Sequence, residues 1–266
     1  VIRSAVVAGL VSAAFVVGST GAAEKSAVES YSFGSLKSAT VETAKSQALE
    51  WLAASGRSDD ATRKQFDAIW GAEGNLHDKI VATLSLDPAA AKLLKDANDP
   101  TTPAPTEVPA LIRDAKQHSF FRANLALAFA KAISSKRVYE EALEALGAVR
   151  PEQVADPGAY YFHKAVAEHS LIKKEAASQS ILRLLDDVSD APDRYKMVGA
   201  LMLFDMQQWK ADEKDLANIA KLMDNSGRRL DLARAGNKTQ DIQKKIVFRL
   251  DEVIKELENQ AKSGGT

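Results

Sequence analysis

The sequence predicts an all-α fold built largely from paired helices. Apolar residues recur three or four apart through almost every stretch, which is the period of an amphipathic helix. Ala, Leu, Lys, Glu and Asp dominate, whereas Gly and Pro collect in a few places where helices would stop. No stretch alternates apolar and polar residues with the β-branched enrichment of a half-buried strand. With 45% hydrophobic and 27% charged residues, the 266-residue chain has the makings of one large core or two smaller ones, and wholesale disorder is excluded.

Residues 1–23 differ from the rest. Arg3 precedes an uncharged apolar run, Ala5 to Gly18, and then Ser19-Thr20-Gly21-Ala22-Ala23 before the first acid, Glu24. A positive start, a short apolar stretch and small residues are the layout of a secretory signal peptide, cleaved after Ala22 or Ala23. The run is shorter than the roughly 20 residues that a helix needs to span a bilayer, so an uncleaved anchor is the second reading. The expected address is therefore export, to the periplasm, the cell envelope or the medium, with the membrane touched only through this segment. Cysteine is absent, which excludes disulfides, thiolate metal sites and lipidation on an N-terminal cysteine.

Residues 24–98 form an N-terminal helical region. Its first part, to about Gly34, is polar and aperiodic and reads as a mobile arm. From Ser38 to Ala54, Val41, Ala44, Ala48, Leu49 and Leu52 mark one helix face, ended by Ser55-Gly56. Asp59 or Asp60 caps a second helix carrying Phe66, Ile69 and Trp70. Leu76–Leu84 and Pro88–Ala97 give two more, the latter opened by Asp87 as cap and Pro88 in the first turn. Residues 99–109 hold four prolines, at 100, 103, 105 and 109, so they read as a stiff linker and the best internal boundary.

Residues 110–211 repeat a pattern. Phe120-Phe121 to Ala132, Tyr160-Tyr161 to Leu171 and Tyr195 to Met206 each open with aromatics and then carry small residues. A second amphipathic stretch follows each: Val138–Leu146, Ala176–Val188 and Leu216 onward. Phe121, Tyr161 and Tyr195 stand 40 and 34 residues apart. Helical hairpins at such spacing signal an α-solenoid. In the middle unit Tyr161, Ala165, Ala177, Ile181 and Pro192 follow the order of aromatic, small, small, apolar and closing proline, and the third keeps Tyr195 with Gly199. Residues 118–211 thereby resemble tetratricopeptide repeats. Lys164, Glu168 and Leu184 depart from that pattern, and in the first unit Leu125 stands at the small position. The resemblance implies stacked hairpins with a concave protein-binding face and no chemistry.

Residues 212–260 predict a long antiparallel helical hairpin of coiled-coil character. Leu216, Ile219, Met223 and Leu230 line one helix; Ile242, Ile246, Leu250, Val253 and Leu257 line the other. Gly236 stops the first, and Asn237 with Gln240 supplies a capping box for the second. Arg228 and Arg234 are expected among the solvated positions, and the Arg228-Arg229 pair on a solvated face rather than at an anion site. Residues 261–266 read as a flexible tail.

No catalytic constellation emerges. None of His77, His118, His163 and His169 has two further ligands at helical spacing, so no metal or other cofactor is expected. No GxSxG elbow occurs, and Gly236-Asn237-Lys238-Thr239 lacks the glycine pattern of a phosphate loop. Adjacent acids such as Asp59-Asp60 and Asp186-Asp187 point away from each other on a helix. The net charge of −1, with both signs mixed throughout, argues against a nucleic-acid partner. The expected role is a non-enzymatic adaptor or scaffold for another envelope protein. A self-assembling structural protein, homo-oligomeric through the terminal hairpin, is the second reading, and an α-helical hydrolase is a distant third. Candidate partner contacts are Tyr160, Phe162, His163 and Trp209; the competing reading has these rings filling gaps between repeats.

Overall fold

A computed structural model of the chain describes residues 33–209 and 216–263. The expected signal segment, most of the expected arm and the last residues of the expected tail lie outside the described residues. All regular structure among the described residues is helical, apart from one isolated parallel bridge between Leu36 and Val188. The helices are α1 (Val41–Ala54), α2 (Asp60–Gly71), α3 (Leu76–Leu84), α4 (Pro88–Asn98), α5 (Ala110–Arg113), α6 (Ser119–Ser135) and α7 (Tyr139–Gly147). A 3-10 turn (Pro151–Gln153) follows, then α8 (Pro157–Ser170), α9 (Lys174–Asp186), α10 (Asp193–Gln207), α11 (Leu216–Asp231) and α12 (Asn237–Ser263).

The centre is α6. Twelve of its 17 residues are buried, on every side of the helix, including Phe120, Phe121, Leu125, Leu127, Phe129 and Ile133. A helix that is apolar all round is stable only when surrounded. Helices α1, α3, α4 and α5 pack on α6 from before it in the chain, and α7 and α8 from after it. Its alanines at 123, 126, 128, 130 and 132 are buried and let those neighbours approach closely. Trp51 of α1 stacks on Phe121 with centroids 4.8 Å apart and planes 15° from parallel. The inward side of α1 is thus Ala44, Ala48, Trp51 and Leu52; Val41 and Leu49, expected on that face, are exposed.

Two of the caps read from the sequence are present; the capping box expected at Asn237 is not, since Asn237 lies inside α12 and Gln240 Nε2 donates to the Ala235 carbonyl. Asp59 accepts from the Thr62 amide at 2.9 Å, and Asp87 accepts from Ala89 and Ala90 while Arg57 pairs with it. The proline-rich segment, expected to separate two domains, does not separate two cores. Val108, between its last two prolines, and Ile112 are fully buried in the cluster that also holds Trp51, Phe66, Phe121 and Tyr160. Lys136 donates to the Asp96 and Thr102 carbonyls, and Arg234 to the Pro105 carbonyl at 2.6 Å. These donors satisfy carbonyls that an extended, proline-broken chain leaves unpaired.

Beyond α6 the helices pair. Helix α7 folds back on α6 and α9 on α8, while α10 packs on α8 and α9. The α6–α7 and α8–α9 turns close in the same way. Arg137 and Ile172 take left-handed φ values of 63° and 61°, and the next amides, Val138 and Lys173, bond back to Ile133 and Glu168. This is the six-to-one bond of a Schellman cap. Ala233 (φ 57°), with Arg234 bonding back to Arg229, repeats it between α11 and α12. Small residues sit at the crossings: Ala165 and Ala177 are buried, and a Cβ on Gly199 would lie 3.1 Å from Ile181 Cγ2.

The terminal hairpin departs from expectation in two respects. Helix α11 packs chiefly on α12, and only part of the apolar seam is closed: Ile219 and Ile246 are buried, but Leu216, Met223, Leu230 and Leu257 are exposed. Arg228 and Arg229, expected in solvent, are buried, and Arg234 is mostly covered. Arg228 binds both oxygens of Glu140 on α7, at 2.8 and 2.9 Å, and lies over the Tyr139 ring; Arg229 pairs with the same carboxylate and Arg234 with Glu141 at 2.9 Å. The bidentate fork fixes orientation as well as charge. The turn is tied by Thr239, which is buried, accepts from Arg229 Nε at 2.8 Å and donates to the Arg234 carbonyl.

Burial pushes the Glu140 carboxyl up, but the hydrogen bonds and charges of Arg228 and Arg229, with a backbone hydrogen bond, outweigh it and hold the group at about 2, below its ordinary 4.5. A carboxyl depressed on folding stabilises fully above its unfolded value, and that stabilisation is lost as pH falls from about 4.5 toward 2. Acidification through that window is expected to release the hairpin before the rest unfolds, read as earlier loss of amide-exchange protection in α11 than in α6. Phe121→Ala removes the ring that joins α1 to α6 and should cost about 3–5 kcal/mol in urea denaturation. The loss should appear in a single transition, because the two sides of the proline-rich segment share a core.

Candidate binding site

A cleft of about 460 Å³ opens where α3, α6, α8 and α10 converge. Leu127 and Lys131 come from α6, one turn apart on one face; His77 and Asp78 from the first turn of α3; Ala159 from α8; Arg194 and Tyr195 from the start of α10. The junction is built locally. Asn124, buried in α6, donates to the Phe120 carbonyl at 2.8 Å and accepts from the Ala155 amide at 2.9 Å, which pins the entry to α8 against α6. Asp156 then caps α8 through the Ala159 amide at 2.7 Å, with Pro157 in the first turn. Gly158 allows α10 to begin close by, since a Cβ there would lie 3.4 Å from Pro192 Cδ.

The segment before α1 completes the wall. Gly34 and Leu36 donate to the Asp186 and Asp187 carbonyls at 2.8 and 2.9 Å, Ser189 donates back to Leu36, and the Ser38 amide meets both oxygens of Asp190 at 3.1 Å. This strap joins the beginning of the described chain to the α9–α10 connection. Sequence reading missed it, since a lone bridge leaves no periodic trace.

The cleft carries both signs. Lys131 and Arg194 supply cations, Asp78 and Asp156 supply carboxylates. Both acids have helix-end duties: Asp156 at its cap, and Asp78 accepting from Asn75 Nδ2 at 2.7 Å. His163 stands behind the Arg194–Tyr195 wall, 6.3 Å from the Tyr195 ring. Burial, and then the charges of Lys131, His77 and Arg194, push its imidazole down to about 4, and its buried Nε2 has no hydrogen-bond partner in the structure. Burial and Lys131 lower His77 as well, against the opposing pull of Asp78 and Asp156. Among the described residues no three His, Asp or Glu side chains gather as a metal would require.

The four candidate contacts separate. Tyr160 is interior, its hydroxyl donating toward the Leu146 and Val149 carbonyls. Trp209 is buried too, its Nε1 donating to Asp205 Oδ2 at 2.9 Å beside His169, which meets the same oxygen at 2.9 Å. Phe162 is half-buried and stacks on Tyr195 at 4.2 Å, joining α8 to α10. Three of the four rings are thus engaged between helices, as the gap-filling reading has it, and His163 backs the cleft.

One group of exposed apolar residues lies apart from the cleft, on the outer side of α10. Met197, Leu201 and Phe204 are 65%, 63% and 64% exposed, with Val198 and Leu182 of α9 beside them. They fall at i, i+4 and i+7, one stripe of the helix. The opposite side, Tyr195, Gly199 and Met206, is buried. The signal was present in the sequence, since α10 is apolar on two faces and one repeat neighbour can cover only one.

Neither a family model, nor a curated protein, nor a solved structure matches this chain.

His163 is depressed on folding, so between about 6.5 and 4 the unfolded chain binds the extra proton and stability falls as pH drops through that window. His163→Gln is expected to flatten the pH dependence of the urea midpoint there, and ring-nitrogen NMR should show His163 neutral until pH approaches 4.

Proposed function

We propose that this protein is an exported, non-enzymatic adaptor whose helical hairpins form a tetratricopeptide-like stack that docks another protein of the cell envelope. One observation carries the reading: the last helix before residues 210–215, α10, ends the stack with an apolar stripe uncovered. Solenoids need polar outer faces on their terminal repeats to remain soluble, and contiguous exposed apolar patches mark interaction surfaces. Met197, Leu201 and Phe204 are large side chains presented on a rigid helix, the kind of surface that anchors a partner helix or strand. The repeat-like architecture is supported by the recurring left-handed turns at Arg137 and Ile172 and by the small residues Ala165, Ala177 and Gly199 at the crossings. Export rests on the signal-like character of residues 1–23.

The mixed-charge cleft adjoins the beginning of the same helix through Arg194 and Tyr195. A polypeptide leaving the α10 stripe would meet Lys131 and Arg194 for its carboxylates. The two cleft acids are occupied in helix-end contacts, which favours a binding role over hydrolysis.

The paired change Leu201→Asp and Phe204→Asp alters exposed positions only and should leave helicity and urea stability within about 0.5 kcal/mol of the parent. It should lower affinity at least tenfold for peptides selected by the parent chain from a displayed library. Selection that enriches no peptide, or peptides indifferent to this pair and to Lys131→Glu with Arg194→Glu, overturns the reading.

A further inference from the structure

The terminal hairpin has its own uncovered face, distinct from α10. On α11, Leu216, Met223 and Leu230 recur every seven residues and stand 46–61% exposed, while Ile219 and Ser226, three residues after the first two, are buried. On α12, Val247 and Ile254, again seven apart, are 58% and 52% exposed, whereas Ile246 is buried. Each helix thus closes one side of its apolar sector within the hairpin and leaves the adjoining side open. Counting outward along both helices from the Arg229–Thr239 hydrogen bond, antiparallel pairing brings Met223 near the level of Val247 and Leu216 near that of Ile254, which makes the two open sides neighbours. This is half of a four-helix bundle.

We infer that the missing half is the same hairpin of a second copy of this chain, paired antiparallel about a twofold axis. Charge is the first argument. The amino-terminal half of α12, residues 237–250, holds four cations (Lys238, Lys244, Lys245 and Arg249) against Asp241, a net +3. The remaining half, residues 251–263, holds Asp251, Glu252, Glu256 and Glu258 against two lysines, a net −2. A parallel copy sets like charge on like, whereas an antiparallel copy sets each half against its complement.

Register is the second argument. An axis midway between Val247 and Ile254 puts each of them opposite the other in the second copy. The same axis brings Lys244 of one copy level with Glu258 of the other. The apolar and charged positions therefore agree on one alignment, and an isologous contact closes without further growth.

Size is the third. Helix α12 has 27 residues, about 40 Å of length. Helix α11 adds 16 residues, about 24 Å, so at about 10 Å of width per helix the face reaches ~640 Å² per copy, the lower end of what a standard stable interface buries. The Arg228–Glu140 and Arg234–Glu141 pairs hold the hairpin to α7, so the face is presented at a fixed angle.

Light scattering on the full chain at micromolar concentration should give twice the mass of one copy. Val247→Asp with Ile254→Asp should halve that mass while circular dichroism keeps its helical signal. Orientation is read by cross-linking, free of background because the chain has no cysteine. Lys244→Cys chains mixed with Glu258→Cys chains should form a disulfide between the two species, and Lys244→Cys alone should not pair with itself. A monomeric parent chain, a dimer indifferent to the α12 pair, or self-pairing of Lys244→Cys overturns the inference. So does mass that grows without limit, as head-to-tail docking of this face on α10 would give. The Leu201→Asp and Phe204→Asp change should leave the dimer intact, which keeps this result separate from the adaptor role.

Discussion

The structure depends on the need to bury α6 on all sides. Phenylalanines, leucines and alanines are distributed around its whole circumference, so exposing any face would leave apolar surface in water at roughly 25 cal/mol per Å². Helices from both before and after it in the chain meet this requirement, α1 and α3 to α5 among the first and α7 and α8 among the second. The alanines make the arrangement possible, because a helix with large side chains in every direction could not admit this many neighbours at close range. The proline-rich segment is consequently a strap pinned to the core rather than a hinge, with Lys136 at its Thr102 carbonyl and Arg234 at its Pro105 carbonyl.

Close packing of this kind says which faces must be buried and leaves orientation loosely determined. A small number of buried polar contacts supply it. Asn124 joins α6 to the entry of α8 through one amide and one carbonyl, and Ser180 satisfies the buried Glu168 at 2.6 Å, where burial raises the carboxyl above its ordinary value. The three arginines of the hairpin do the same for the C-terminal unit. A buried ion pair adds little net stability compared with a well-packed apolar contact, but its bidentate geometry admits few alternative docking angles. That explains how a hairpin with so little buried apolar surface holds a defined position against α7.

The surfaces left over have a common origin. Helix α10 packs chiefly on α8 and α9, and its side away from them keeps Met197, Leu201 and Phe204 exposed. A two-helix hairpin likewise buries one side of each helix and leaves the other. Apolar residues at such positions are unfavourable in an isolated chain, which is why α10 and the α11–α12 face carry the functional reading. The cleft where α10 meets α3, α6 and α8, with its opposed charges, is a polar feature beside the first of these surfaces.

Local patterns along the chain carried the helical class, the helix starts at Asp59 and Asp87, the small residues at the crossings and the two-helix form of the C-terminus. All of these follow from contacts within a few residues along the chain. The sequence by itself could not say which apolar stripes find a neighbour. Met197 and Phe204 look like core residues, and Arg228 and Arg234 like solvated ones, because period and composition describe a helix and not what stands beside it. Tyr160 and Trp209 were legible as important aromatics, with partner contact and gap-filling both open, and they are interior. Only the tertiary structure decided that the segment before α1 straps onto the α9–α10 connection, that the proline-rich stretch lies over a continuous core, and that Glu140 draws two arginines inward. Each of these joins residues many tens of positions apart, and pairing at that range is fixed by the packing of whole helices, which no local pattern encodes.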